Sequence, residues 1–217
     1  MTHHVKTQRR YDSSGRRAGA RARRQSVLDA GRDLFLAQGF AGTTVAEIAT
    51  TADVSPETVY KAFGGKAGIV RALHETALLG AGPVPAYTRS DSLRANADPW
   101  EIVHGWSRLS MEVAPRASPL LLLVRDAALL DPGLRDLLAE LDTARFTRMS
   151  ENARFLHDAG HLRPEVTTDE AADLMWAVTA PEMYELLVLR QGWSLERYGD
   201  QVFHTVAGLL RPRTSAG

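Results

Sequence analysis

The sequence predicts an all-α protein of about nine helices, and three observations carry that expectation. Apolar residues recur three and four positions apart, no stretch alternates apolar with polar as a half-buried strand would, and helix starts are announced by capping residues before proline or by capping boxes. The first helix is expected from Arg21 to Gln38, because Val27, Leu28, Gly31, Leu34, Phe35 and Gln38 share one face, and Gly39 stops it. Thr44 and Glu47 have capping-box spacing and open a short second helix, Val45 to about Ala52, with Val45, Ile48 and Ala49 as its buried stripe. Ser55 is a good N-cap and Pro56 suits the first helical position, so a third helix runs to about Phe63. Gly64-Gly65 breaks the chain before Lys66 starts a fourth helix through Ile69, Val70 and Leu73. Residues 80–99 read as a loop-rich connection. Asp98-Pro99, Ser118-Pro119 and Asp131-Pro132 then predict helices near 99–113, 119–130 and 132–159, the last closed by Gly160. Thr167 and Glu170 form another capping box, opening a helix to about Arg190 that Pro181 interrupts near Ala180. A final helix spans about Ser194 to Leu210 and ends before Pro212.

Composition narrows the class. With 217 residues, 44% hydrophobic and 24% charged, the chain can bury a real core. The absence of cysteine excludes disulfide scaffolds, thiol nucleophiles, thiolate zinc sites and iron–sulfur clusters. The longest stretches free of Asp, Glu, Lys and Arg, Leu34–Ala46 and Thr76–Thr88, are too short and too glycine-rich for a membrane span. No secretory signal is visible, so a cytoplasmic location and no membrane partner are expected. The formal net charge is zero, which alone argues against a nucleic-acid binder. That total conceals a split, because residues 1–71 carry 12 Lys+Arg against 6 Asp+Glu, and residues 72–217 carry 14 against 20. Such an asymmetry is the footprint of a nucleic-acid contact at one end. The excess concentrates in Lys6, Arg9, Arg10, Arg16, Arg17, Arg21, Arg23 and Arg24, opposed only by Asp12. Residues 1–20 therefore read as a basic, disordered arm, either a solvated tail or a segment that reaches phosphates or a minor groove.

Two short helices joined by a tight turn with Val54 at its centre form a helix-turn-helix, whose second helix enters a major groove. Val27-Leu28, Leu34-Phe35, Gly39-Phe40, Thr43-Thr44-Val45, Ile48-Ala49, Val54-Ser55, Thr58-Val59-Tyr60, Phe63 and Lys66 resemble, without a gap, the DNA-binding domain of the TetR family of bacterial transcriptional regulators. The resemblance implies a helix-turn-helix DNA-binding domain over 21–68 and a helical ligand-binding and dimerisation domain over 69–217. It implies phosphate contacts from Tyr60 and Lys66. A lysine at a helix N-terminus is unfavourable to the helix but well placed for an anion. Thr44 is a cap that can also offer its hydroxyl to phosphate. By position, base reading falls to Ser55, Pro56, Glu57, Thr58 and Lys61. Thr58 suits a thymine methyl, Lys61 a guanine or phosphate, and Glu57 either cytosine N4 or simply the positive end of its own helix. Val59 and Phe63, on the opposite side, read as core. One departure stands out: the turn position usually held by glycine is Asp53, a residue that tolerates the left-handed conformation.

In the C-terminal part, Pro181-Glu182, Tyr184-Glu185-Leu186-Leu187, Gly192-Trp193 and Arg197-Tyr198 are similar to a segment of the same family's second domain. The resemblance implies a homodimer on a palindromic operator, paired through the last two helices. Leu174, Val178, Leu186, Leu187, Val202, Val206 and Leu209 have the spacing for that interface, or equally for an intrachain core. It also implies a cavity for an unidentified small-molecule effector. Trp100, Trp106, Met111, Phe146, Met149, Phe155, Met175 and Trp176 offer apolar bulk, and His104, Arg125 and His157 offer polar contacts, with ordinary core and surface as the alternative. The function expected is a homodimeric repressor of double-stranded DNA, released by that effector. An activator, a protein-responsive regulator or an enzyme or carrier using the cavity are the alternatives. Against an enzyme, the seven histidines lack metal-ligand spacing and no phosphate loop or nucleophile motif occurs, so no catalytic residue, metal or cofactor is expected.

Overall fold

The computed structural model describes residues 13–80, 82 and 84–212. Among them are ten helices and no named strand: α1 (Ser13–Gly42), α2 (Val45–Thr51), α3 (Pro56–Phe63), α4 (Lys66–Leu79), α5 (Ala86–Leu93), α6 (Pro99–Ala127), α7 (Pro132–Asp158), α8 (Thr168–Val178), α9 (Pro181–Tyr184), and α10 (Leu195–Ala207). A π-helical stretch, Glu185–Arg190, continues α9.

Helix α1 starts eight residues before the expected Arg21, so residues 13–20, read as part of a disordered arm, are helical. Ser13 to Arg24 is rich in Arg and Ala, good helix formers, and α1 prolongs the turns whose Val27, Leu28 and Phe35 are buried. Residues 1–12 of that arm lie outside the described residues. At the other end Gly39 breaks α1 with φ 78 and ψ 166, a conformation glycine adopts without a Cβ penalty. Gly31 faces α4, where a Cβ would come 2.8 Å from Ile69 Cγ2, so the two helices approach closely.

Two cores organise the molecule. The first joins α1–α4 to the later half of α6 and the start of α7, through Val27, Phe35, Ile48, Val59, Ile69, Leu120, Val124 and Leu134. The second joins the early half of α6 to α7, α8 and α10, through Ile102, Trp106, Leu156, Met175, Tyr198 and Val202. Helix α6 belongs to both. The expected break at Ser118-Pro119 does not occur: α6 runs unbroken for 29 residues, about 43 Å, through Pro115 and Pro119. Each interior proline costs about 3 kcal/mol. Burial of Ala114, Ala117, Ser118, Leu120, Leu121 and Leu122 against helices on several sides outweighs it.

Two further departures come from local chemistry. Residues 86–93, within the expected loop, form α5, whose Ala86 and Ser90 are buried against the body. Pro181 does end α8 as expected. Ala180 is extended (φ −64, ψ 146), the conformation required before proline, and Pro181 starts α9. Helix α4 passes through the expected domain boundary at 68/69, making one rigid element of what the sequence divides.

Candidate nucleic-acid interface and cavity

The first core presents α3 outward. Val59 is fully buried and Phe63 packs beside it, as the spacing predicts, leaving Ser55, Pro56, Glu57, Tyr60 and Lys61 exposed and Thr58 half-buried. Tyr60 is 56% exposed, so its ring and hydroxyl are open to solvent. Ser55 caps α3: its hydroxyl accepts from the Thr58 amide at 3.3 Å and lies 3.2 Å from the Thr58 hydroxyl. The Ser55 hydroxyl also holds the Glu57 carboxyl below its ordinary value, so a carboxylate acceptor stands in the first turn of α3. Thr44 closes the expected capping box. Its amide and hydroxyl both donate to Glu47 Oε2 at 2.8 Å, and its hydroxyl accepts from the Glu47 amide at 3.1 Å. Asp53 has φ 54, the left-handed conformation expected of it, and its side chain is exposed.

Lys66 is placed otherwise than the sequence suggests. Its ammonium turns back from α4 to donate to the carbonyls of Phe40 (2.7 Å) and Thr43 (2.8 Å), and lies 4.2 Å above the Phe40 ring. The Thr43 hydroxyl donates to the Gly39 carbonyl at 2.8 Å. Together they satisfy the acceptors exposed where α1 ends, and the charge that α4 disfavours sits where a helix C-terminus favours it. Two of its three N–H groups are thus engaged within the domain, and burial lowers its pKa.

A second basic feature runs along α1. Arg16, Arg17, Arg21, Arg23 and Arg24 are exposed. Arg17, Arg21 and Arg24 are four and three apart and share one face. Arg24 fixes that face against the end of α3: its guanidinium lies 4.4 Å over the Phe63 ring and donates to the Ala62 carbonyl at 3.4 Å.

In the body, α4, α5, α6, α7, α8, α9 and α10 surround a cavity of about 130 Å³ that opens to solvent. Its walls are mainly apolar, from Leu78, Trp106, Leu109, Val113, Met149, Met175, Val202 and Val206. Of the expected lining residues, Trp106 and Met149 belong to it, as does Met175. Trp100 and His104 instead meet Phe203, at 6.3 and 5.6 Å between ring centroids. Phe146 is largely outside, edge-on to Trp176 at 5.9 Å. Trp176 and Arg125 line a neighbouring hollow beyond Arg145. Arg125 bridges α6 to Glu182 (3.4 Å) and Glu185 (3.3 Å), holding the start of the π-helical stretch. Polar side chains that reach the cavity include His74, Tyr87, Arg145, Arg148, Asn152 and Tyr198, beside Ser90, Ser110, Ser118 and Thr179, and they escaped the sequence reading because no local motif marks them. Tyr198 with Val202 and Val206 does carry an i, i+4, i+8 stripe, but that spacing does not say which neighbour it faces.

The expected dimer surface is half corrected. Val178, Val202, Val206 and Leu209 are buried inside one chain, because α8 packs against α7 and α10 while α10 packs against α6. Leu187 is half-buried against the same core. Leu174 and Leu186 remain 45% and 48% exposed, joined by Leu189 at 54%. Among the described residues no three His, Asp or Glu converge as a metal site, and no helix is long and apolar enough to cross a membrane.

An exposed α3 on a head of short helices, set on a helical body by a shared helix, is the arrangement of a helix-turn-helix domain. Residues 27–73 match the model of the bacterial regulatory proteins of the tetR family. A 48-residue stretch is 40% identical to the HTH-type transcriptional regulator AlkX of Mycobacterium tuberculosis, covering 22% of this chain and 23% of that protein. The fold is similar to SmeT in its triclosan complex (TM-score 0.70, 21% identity, 88% of this chain and 93% of that one). It is also similar to NalD, the secondary repressor of the MexAB-OprM multidrug efflux pump in Pseudomonas aeruginosa (TM-score 0.69, 18% identity, 90% and 100%). Residues 27–73 thus match the DNA-binding domain of tetR-family regulators, and the described helices share the fold of these two structures.

Proposed function

We propose that the protein is a homodimeric transcriptional repressor that binds a palindromic operator through α2 and α3 and leaves it when a small molecule enters the body cavity. The observation that carries this reading is α4. One 14-residue helix, about 21 Å long, begins at the Lys66 socket in the head and ends with His74 and Leu78 in the cavity wall. A molecule that prefers one position of that helix shifts the spacing of two reading heads by as much as its differential affinity allows. In this reading Ser55, Pro56, Glu57, Thr58 and Lys61 meet base edges, while Tyr60 and Thr44 meet phosphates and Lys66 lends its third N–H to another. Arg17 and Arg21 extend the phosphate contacts along α1. Leu174, Leu186 and Leu189 supply exposed apolar area for pairing with a second copy. The names of AlkX, SmeT and NalD, a regulator, a ligand complex and a repressor, support the same direction.

The test is selection of bound fragments from a genomic library with the full chain, followed by footprinting and a shift assay. A protected site with two-fold symmetry, bound by two chains and repressing a reporter, is expected. No shift with any fragment at low salt overturns the reading.

A further inference from the structure

We propose that the cavity takes a neutral, largely apolar molecule with one hydrogen-bonding polar atom, seated on the Tyr198 hydroxyl, and that it discriminates against anions. The inference deepens the effector reading above and rests on it. Tyr198 lines the cavity, is only 1% exposed, and its hydroxyl has no hydrogen-bond partner among the described residues. The Tyr184 ring, edge-on at 5.6 Å between centroids, holds it in place. Burial pushes its pKa up, so it remains a hydroxyl that can donate or accept. A ligand atom that completes that bond removes the cost of an unsatisfied buried group.

The charges around the cavity decide the rest. Arg145 and Arg148 reach it, which at first sight invites an anion. Both are already neutralised: Arg145 pairs with Asp142 at 2.8 Å and donates to the Trp176 carbonyl, and Arg148 pairs with Asp91 at 2.5 Å and Glu151 at 3.4 Å. The remaining ionisable cation of the wall, His74, is buried and held toward its neutral form by desolvation. A carboxylate entering this space gives up its hydration without gaining a free counter-charge, whereas an alcohol, ketone or amide gives up little and satisfies Tyr198.

Calorimetric titration of the full chain at pH 8 with 1-decanol, decanoate and decane separates head-group charge from chain burial. Decanol is expected to bind about tenfold or more tighter than decanoate and several-fold tighter than decane. In Tyr198→Phe, which keeps the ring, the advantage of decanol over decane disappears while decane binding persists. Decanoate equalling decanol, or an undiminished decanol preference in Tyr198→Phe, overturns the neutral-ligand proposal and leaves the cavity as the effector site. Failure of all three probes to bind a protein that melts cooperatively overturns this proposal and leaves the effector reading to the shift assay. Decanol binding without release of DNA in the shift assay supports this proposal and removes the effector reading.

Discussion

The head and the body use helices for opposite purposes. In the head, most candidate contacts on α2 and α3 are local, Lys66 being the exception. Ser55, Pro56, Glu57 and Thr58 are consecutive, Thr44 and Glu47 form one capping box, and the buried side needs only Val59 and Phe63 to point α3 outward. In the body, the cavity exists only because seven helices converge, and its polar atoms come from residues as far apart as His74 and Tyr198. The difference teaches that a surface site is written in short spacings, while an enclosed one is written in tertiary packing.

That contrast can be probed first at Lys66, where the head depends on a contact 26 residues away in sequence. Lys66→Ala removes two charged hydrogen bonds to carbonyls and a cation–π contact, and is expected to cost about 2 kcal/mol of head stability. Urea denaturation checks this, and an unchanged midpoint would mean the socket contributes nothing. Next comes the α1 ridge. Arg17→Ala with Arg21→Ala should reduce the salt slope of DNA binding by about 1.8, with stability changed by under about 0.5 kcal/mol. An identical slope places both arginines outside the interface.

The joint between head and body is sensitive to acid through His74. Burial lowers its pKa from the usual 6.5, so the unfolded chain takes up the proton first. The stability linked to its neutral form is complete above pH 6.5 and is lost as pH falls toward and through the depressed folded value. The slope reaches at most about 1.4 kcal/mol per pH unit. Denaturation midpoints from pH 7.5 to 5.5 should show that decline in the native chain, and His74→Gln should flatten it. The smallest effect is expected at the turn. Asp53→Gly relieves a left-handed residue with φ 54 and should stabilise the head by about 0.5–1 kcal/mol without weakening DNA binding. A clear loss of operator affinity would assign Asp53 a role in the interface.

What was legible follows the same line. The bounds of α3, the breaks at Gly39 and Pro181, both capping boxes and the strained Asp53 are set within a few residues, and the sequence carries each of them. The unbroken α6 was not legible, because local proline chemistry was outweighed by packing on several sides. Nor was the division of the apolar stripes of α8 and α10 between core and surface: Val202 and Val206 have the periodicity of an interface but face α6. At Lys66 the residue type pointed correctly to an electrostatic role. Only the folded end of α1 reveals that its partners are carbonyl oxygens.

The two prolines of α6 have a mechanical consequence. Pro115 and Pro119 are four residues apart and so lie on one face, where the carbonyls of Met111 and Pro115 lose their amide donors. The helix that joins the two cores is therefore anisotropic in stiffness: it yields toward opening on that face and resists bending across it. Proline carries no exchangeable amide, so this compliance is visible in deuterium uptake only through neighbours such as Arg116 and Leu120. A load applied by a molecule wedged against Trp106 and Val113 would travel along this beam as a directed flexure rather than spread evenly through the protein.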